Sequence, residues 1–592
     1  MATTLKSVDA VVIGLGWTGS ILSMELANAG LHVVALERGA YRDTSPNWSY
    51  PKAADELKYG IRGDLFQRLS KDTVSIRHST DGVAVPYRQL NAFLLPDNVG
   101  GAGVHWNGQH YRPSPEDLKF LSHNVERYGA KFLPEDMTIQ DYDVTYDELE
   151  PYLDEFERLC GTSGQAGNIR GTLQPGGNPF EGPRSRGYPT PALPDTEGAL
   201  RFAKAARELG YSPFPQPSAN CSQPWTNQYG VRLGPCNLCG YCERYGCYLY
   251  SKASPQTTIL PALMQKSNFE MRTHSTVTKI NLSPDGKRAT GVTYVDAAGQ
   301  EFIQPADLVI LSSFQINNVR LMLLSGIGTP YDPRTGEGVI GKNFAYQMMS
   351  ESALFFDKDV AINPFIGAGS GGQQIIDEFN ADHFDHAPHG FIGGGYILGG
   401  TTGGRPLQQL NVPAGTPMWG AAWKKAAKEN YLHTSRVQTH SSVMAYRGAY
   451  VDLDPTYRNA LGMPLARITF DWHENEYRMT RFVTDRALEI VEKMNPKSHT
   501  LTMRKAGDHF NTRQYQTTHI TGGVITGADP RTSAVNRYCQ SWDVPNLFVF
   551  GASAFPQNFG YNPTGLIGGL TFMGAHAIRE RYLKAPGPLV PV

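Results

Sequence analysis

The N-terminal 37 residues constrain the fold more than any other stretch of the chain. Val8–Ile13 (VDAVVI) reads as a buried strand. It is followed by the turn Gly14-Leu15-Gly16-Trp17-Thr18-Gly19, a helical pattern through Met24, Leu26 and Ala27, and a second strand, Leu31–Leu36, that ends on Glu37. This is a complete dinucleotide-binding βαβ unit. Gly14 permits the tight turn. Gly16 lets a pyrophosphate approach free N–H groups at a helix N-terminus, where the dipole favours anions. Gly19 permits close strand–helix contact, and Glu37 stands where a carboxylate holds a ribose hydroxyl. A glycine-rich turn in an unrelated α/β protein would show only part of this pattern. Spacing alone does not separate FAD from NAD. A fingerprint at the start of a 592-residue chain, with a distant C-terminal return, fits FAD better.

A chain of this length is too long for one ordinary core, so two domains wrapped together are expected. Hydrophobic residues make up 40% and charged residues 18%, which marks a globular protein. A net charge of −1 and the lack of a basic stripe argue against a nucleic-acid partner. No apolar run reaches the length of a membrane span. Met1 to Asp9 is short and polar and runs straight into the first strand, so no signal peptide is expected. Any export or membrane association is then expected to come through a partner.

Four of the seven cysteines fall in one short stretch: Cys236, Cys239, Cys242 and Cys247. Such uneven spread is a poor disulfide framework. Thiolates two residues apart on tight turns can grip neighbouring irons of one cluster, and Gly234, Pro235, Gly240 and Gly246 supply the turns. Structural zinc sites pair two knuckles across a longer loop, so an iron–sulfur cluster is the better reading. Cys160, Cys221 and Cys539 read as ordinary buried residues.

Further along, Asn98–Gly108 (NVGGAGVHWNG) suggests a loop pressed against a flat ring system. Met271–Val295 reads as strand, turn at Asp285-Gly286, and strand. Leu308–Leu311 reads as a short buried strand, and Asn317–Leu324 as an apolar helix closed by Gly326. Leu547–Phe550 is a strand leading to Gly551-Ala552-Ser553, and Asn562-Pro563-Thr564-Gly565 opens a long apolar helix. Pro563 suits a first turn. A helix N-terminus here would stabilise a reduced, anionic flavin ring.

Taken in order, the N-terminal unit, GGAGVHWNG, ADLVILSSF…LMLLSGIG and the HITGG…NPTG pair resemble the glucose–methanol–choline oxidoreductases. Segments such as VALERG, DELKYGIR, AVPYRQL, SKASP, SAVNRY and ASAFPQN narrow the resemblance to the bacterial sugar and sugar-acid dehydrogenases of that family. The resemblance implies an α/β fold: a Rossmann-like FAD-binding domain, a substrate domain on an antiparallel sheet, and an iron–sulfur insertion. The FAD domain is expected over residues 1–112, 221–344 and 519–592, with the iron–sulfur segment at 221–250, and the substrate domain over 113–220 and 345–518. Ser352–Phe356, Ser442–Tyr446 and Ala466–Trp472 alternate enough for strands of that sheet.

The resemblance also implies site residues. His519 is the expected base that takes the hydroxyl proton, and Asn562 the partner that holds the substrate oxygen; the alternative for His519 is a structural residue capping the next turn. FAD contacts are expected from Gly14, Gly16, Gly19, Glu37, Gly100, Gly101, His105, Trp106, Asn107, Val277, Ala552, Pro563 and Thr564. His105 stands where some relatives attach the flavin covalently, and packing against the ring edge is the other reading. A three-iron [3Fe-4S] cluster would use Cys236, Cys242 and Cys247 with Cys239 as an extra thiol; a four-iron cluster would use all four. The implied reaction is oxidation of a secondary hydroxyl of a sugar acid, first D-gluconate to 2-dehydro-D-gluconate, with 2-keto-gluconate, fructose, sorbitol and glucose as alternatives. A soluble oxidase that reduces oxygen is a more distant one. Implied partners are a small subunit carrying an export signal and a multihaem cytochrome c, on the periplasmic side of the bacterial inner membrane. A cation is expected near a carboxylate substrate, and the sequence does not single it out.

Overall fold

The computed structural model describes residues 2–89, 91–401, 405–514 and 517–591. Its organising element is a parallel sheet in the order Phe269–Arg272, Val33–Leu36, Val8–Ile13, Glu301–Leu311, Leu547–Val549. Val33–Leu36 is buried at every position, and Val8–Ile13 at all but Asp9. Layers cover both faces of such a sheet, so its strands are continuous apolar runs. The helix Trp17–Asn28 returns the chain between the first two strands.

The Glu301–Leu311 strand joins a parallel and an antiparallel part of one eight-stranded sheet. Its second half pairs with Val8–Ile13 on one edge and Leu547–Val549 on the other. Its first half pairs antiparallel with Ala289–Val295, which forms a hairpin with Thr276–Leu282. The expected strand over Leu308–Leu311 is therefore only the apolar end of a longer one. The Glu301–Pro305 half carries Gln304 and Pro305 and so does not read as an apolar run. The expected helix near Asn317–Leu324 runs over Gln315–Ser325 and stops at Gly326, whose φ of +68° closes it in the left-handed region.

The second sheet has six antiparallel strands, in the order Phe214–Pro215, Gln374–Ile376, Gly395–Gly400, Thr434–Ser441, Met348–Phe355, Ser498–Thr502. The strand expected at Ser352–Phe356 belongs to it. Ser442–Tyr446 does not; the strand ends at Ser441 and the chain bends away. Ala466–Trp472 overlaps the strand Pro464–Thr469, which lies in a separate four-stranded sheet beside Val74–Arg77 and Tyr450–Arg458. Alternation reports a half-buried strand but not the sheet it joins.

The helices Tyr146–Cys160 and Thr564–Ala577 pack against each other. A Cβ added at Gly568 would sit 2.0 Å from the Phe156 ring, and one at Gly569 would sit 2.7 Å from Leu153. Small residues here set how closely the C-terminal helix approaches. Helix Glu474–Met494 buries Glu476, whose carboxylate accepts from Met444 N–H at 3.0 Å and from Tyr446 OH at 2.9 Å. Burial pushes its pKa up to about 7. Because the folded value exceeds the unfolded one, the stability this group contributes is full below the unfolded pKa and is lost as pH rises through about 7. Thermal unfolding followed against pH should show that Glu476→Gln removes this part of the decline, so the gap between variant and wild type shifts in the variant's favour as pH rises from about 4.5 to about 7 and stays level above that. Parallel curves would contradict the assignment.

Candidate active site

Four parallel strands end at Ile13, Leu36, Leu311 and Val549, and the residues that follow each line one cavity of about 570 Å³. This is the crevice outside the carboxyl ends of an open α/β sheet, where ligands bind.

Glycine geometry shapes one end. Gly14 has φ +90°, and a Cβ there would sit 2.7 Å from Ser312 O. A Cβ at Gly19 would sit 1.9 Å from Gly14 O. Gly16 caps the N-terminus of the Trp17–Asn28 helix and faces Gly101 across a gap with no side chain on either side. Gly100 N–H donates to Leu15 O at 2.6 Å, so the 98–108 loop is bound directly to the glycine turn. The Glu37 carboxylate accepts from Leu15 N–H at 3.0 Å and from Gly39 N–H at 2.8 Å, which fixes it at the cavity edge.

Of the expected cofactor contacts, Gly14, Gly16, Glu37, Gly101, His105, Trp106, Asn107, Val277, Ala552, Pro563 and Thr564 all line this cavity. Gly19 and Gly100 stand behind its wall and shape it. His105 is 3% exposed, and its Nε2 has no hydrogen-bond partner among the described residues. Burial first, then the charges of Lys252 and Arg244, lower its pKa to about 3. It therefore offers a neutral, unpartnered ring nitrogen. Pro563 is the residue immediately before the Thr564–Ala577 helix rather than its first turn, and the helix N-terminus opens onto the cavity through Thr564.

His519 and Asn562 meet at the other end. His519 Nδ1 lies 2.6 Å from Gln347 Oε1, and its Nε2 lies 3.2 Å from Asn562 Nδ2. An amide oxygen can only accept, so Gln347 places the ring proton on Nδ1 and leaves Nε2 as a lone pair. Tyr396 OH stands 2.6 Å from Asn562 Oδ1, and donation there turns the amide N–H toward His519. Removal from water, then the neighbouring His440, lowers the His519 pKa to about 3. The resting imidazole is a neutral base. The polypeptide behind it is held by Asn558 Nδ2 donating to His519 O at 2.8 Å.

The sequence reading missed Gln347, Tyr396 and His440. It also missed the wall that continues from them. Met349 and Glu351 alternate along one strand of the second sheet, and Arg436, Gln438 and His440 along its neighbour; all five line the cavity. Side chains two apart in a strand share a face. The polar alternation of Arg436, Gln438 and His440 was the available signal.

The cysteine segment lies behind the 98–108 loop. Arg244 N–H donates to His105 O at 2.7 Å, and a Cβ at Gly369 would touch both Asn107 O and Cys242. Cys236 Sγ accepts from Leu238 N–H at 3.3 Å, Cys242 Sγ from Asn220 Nδ2 at 3.5 Å, and Cys247 Sγ from Lys252 N–H at 3.5 Å. Burial, against an opposing N–H bond from Leu238, pushes the Cys236 thiol up to about 11. Burial also raises Cys239 and Cys242. Cys160, Cys221 and Cys539 are buried, as expected. Among the described residues, the only three metal-ligating side chains with ligand atoms within 4.8 Å of one another are His78, Asp471 and His509, at the surface.

Comparison with known proteins gives the family. Sequence profiles of the GMC oxidoreductase family match residues 200–349 and 446–571. The chain is 55% identical over 593 aligned positions to the gluconate 2-dehydrogenase flavoprotein of Pantoea cypripedii, covering 100% of this chain and 96% of that one. It is 26% identical to the 2-methyl-1,2-propanediol dehydrogenase of Mycolicibacterium austroafricanum (98% and 97% covered) and 24% identical to the fructose dehydrogenase large subunit of Gluconobacter japonicus (98% and 99% covered). The crystal structure of pyridoxine 4-oxidase from Mesorbium loti superposes with a TM-score of 0.59 at 15% identity, covering 97% of this chain and 99% of that one, which shows a shared fold. The chain belongs to the GMC oxidoreductase family, whose members are FAD-dependent oxidoreductases.

Two measurements follow from the His519 geometry. His519→Ala should slow anaerobic flavin reduction by substrate about 10²–10⁴-fold with flavin content unchanged, the range for loss of a positioned base. A flavin-loaded variant with full activity would remove His519 from this role. The low pKa also predicts a sign. As pH falls from about 8 to about 5, the rate of flavin reduction should show no loss from an ionisation near the ordinary histidine value. An acid limb centred there, abolished by His519→Ala, would contradict a neutral base.

Proposed function

We propose that this protein is an FAD-dependent dehydrogenase that oxidises a secondary hydroxyl of a sugar acid, D-gluconate to 2-dehydro-D-gluconate, and delivers the electrons through an iron–sulfur cluster to a cytochrome c partner. The observation that carries the chemistry is the His519–Asn562 pair, with Gln347 and Tyr396 fixing the orientation of each. FAD, when bound, accepts the hydride. His519 Nε2 takes the hydroxyl proton, and Asn562 Nδ2 donates to the same oxygen and orients it. The neutral His105 on the cavity wall would suit either covalent attachment of the flavin or close packing against it.

The substrate reading rests on two supports. The Pantoea relative, at 55% identity over the full chain, is named for gluconate. The cavity wall opposite the glycine turns carries Glu351, Arg436, Gln438 and His440, and this polar lining suits a polyhydroxy chain; Arg436 is paired there with Glu351 at 3.5 Å.

An iron–sulfur cluster held by Cys236, Cys242 and Cys247, with Cys239 as a fourth candidate ligand, would supply one-electron transfer. The donor set fits. The sulfurs accept N–H bonds of the kind that tune such clusters. Electrons and protons balance when one substrate hydroxyl yields a carbonyl, two protons, and two electrons passed singly to two oxidised one-electron acceptors.

The surface around the cysteine segment supports a partner subunit. Tyr50 is 72% exposed, and its ring lies 5.8 Å from that of Tyr248. Phe365 and Ile366 are 49% and 45% exposed, next to Gly367, whose backbone pairs with Leu238 and Gly240. These exposed apolar side chains beside the cysteine segment are the part of the surface that suits a partner. None of the described helices is long and apolar enough to cross a membrane. We assign membrane attachment to a multihaem cytochrome c, export to a small subunit carrying the signal, and the working location to the periplasmic face of the inner membrane.

The test is anaerobic bleaching of the flavin by D-gluconate, 2-keto-gluconate, fructose, sorbitol and glucose in parallel, with a peroxide assay in air. Bleaching by gluconate and little peroxide is the expected result. Bleaching by another of the five replaces the substrate and keeps the mechanism. Fast peroxide formation would replace the dehydrogenase reading with an oxidase.

A further inference from the structure

The 98–108 loop and the cysteine segment are more than a hundred residues apart in sequence, yet one side chain binds both. Lys252 is 1% exposed. Its Nζ lies 3.0 Å from Val104 O and 2.9 Å from Trp106 O on the cavity loop, and 2.6 Å from Cys242 O and 2.7 Å from Tyr245 O on the cysteine segment. All four are backbone carbonyls, which can only accept. A neutral amine would turn its lone pair toward one of them, so the arrangement calls for the ammonium form, with three donors and no acceptor.

The fastening extends to both neighbours. Between the two carbonyls that Lys252 holds, His105 O accepts from Arg244 N–H at 2.7 Å. Three consecutive carbonyls of the cavity loop are therefore tied to the cysteine segment or to Lys252. The next residue, Ala253, accepts from Trp106 Nε1 at 2.8 Å through its carbonyl, and Lys252 N–H itself donates to Cys247 Sγ at 3.5 Å. A buried cation at this spot faces three interests at once: the loop that lies beside the flavin site, the peptide between the cysteines, and a cysteine sulfur.

We propose that Lys252 is a positioning residue for electron transfer: its ammonium locks the cysteine segment against the flavin-facing loop, and its charge raises the potential of the cluster that segment holds. The inference rests on the iron–sulfur reading above. A fixed positive charge favours the more negative, reduced form of a nearby centre, and the low-dielectric interior screens it little. The residue takes no part in the electron balance. Two electrons leave the substrate, and each crosses singly to one oxidised acceptor of the partner.

The experiment uses the intact complex as wild type, Lys252→Gln and Lys252→Arg. It measures flavin content, iron and acid-labile sulfide, cluster midpoint potential by EPR-monitored redox titration, and the rate of flavin-to-cluster electron transfer. Lys252→Gln keeps a donor and drops the charge. It should retain iron and flavin and lower the midpoint enough to shift the flavin–cluster equilibrium about tenfold toward the flavin, about 59 mV for a one-electron couple. Lys252→Arg keeps the charge but replaces a compact ammonium with a planar fork. It should hold the wild-type midpoint and slow the transfer. A glutamine variant with the wild-type midpoint overturns the proposal. If that variant does not accumulate, the arginine variant decides: a shifted midpoint or an unslowed transfer overturns it. Wild type without iron overturns the cluster reading itself, an outcome distinct from either.

Discussion

The strand Glu301–Leu311 is the constraint on which the rest of the site depends. Among the described residues it is the element that pairs with both the strand Val8–Ile13 and the C-terminal strand Leu547–Val549. Registers Leu311↔Ile13 and Leu311↔Val549 bring three chain segments from opposite ends of the sequence to one line. The turns that leave that line are the glycine turn, Ser312–Phe314 and Phe550–Ala552. Ser312 Oγ donates to Ile13 O and Gly14 O, which ties two of those turns together. Parallel pairing fixes direction as well as neighbours, so all the turns open on the same side. The cavity is the consequence of that alignment.

The second sheet completes the site from the opposite side. Its strand Met348–Phe355 follows directly after Gln347, the residue that fixes the His519 tautomer. Its strand Gly395–Gly400 carries Tyr396, the residue that orients Asn562. His519 and Asn562 both lie on the C-terminal stretch, and each is oriented by a residue on or next to the six-stranded sheet, Gln347 just before its strand Met348–Phe355 and Tyr396 within Gly395–Gly400. Such orienting side chains, more than the reacting groups themselves, hold geometry to the tolerance that proton transfer requires.

Much of this was legible in the sequence. The βαβ unit was readable because each of its glycines answers a separate steric demand, and the structure shows two of those demands directly at Gly14 and Gly19. The cysteine cluster stood out by spacing alone. His519 and Asn562 were reached through family resemblance, since nothing local to either residue says that they meet. Gln347, Tyr396 and Lys252 were not legible. A glutamine before a strand, a tyrosine within one and a lysine beside a helix turn are common, and their roles arise only from long-range contacts. Ser442–Tyr446 failed as a strand because alternation continues past the point where the backbone leaves the sheet. Ala466–Trp472 belongs to a sheet other than the expected one because a hydrophobic pattern names a buried face and not a partner.

The central claim is that one protein couples alcohol oxidation at His519 to one-electron delivery at the cysteine segment. The most direct measurement mixes the purified complex with D-gluconate anaerobically, freezes it at successive times, and follows flavin absorbance and the EPR signal of the cluster in the same samples. The account predicts that flavin colour is lost first and that the oxidised-cluster signal then falls, in wild type and not in His519→Ala. A cluster signal that stays unchanged while the flavin is fully reduced and turning over would contradict it.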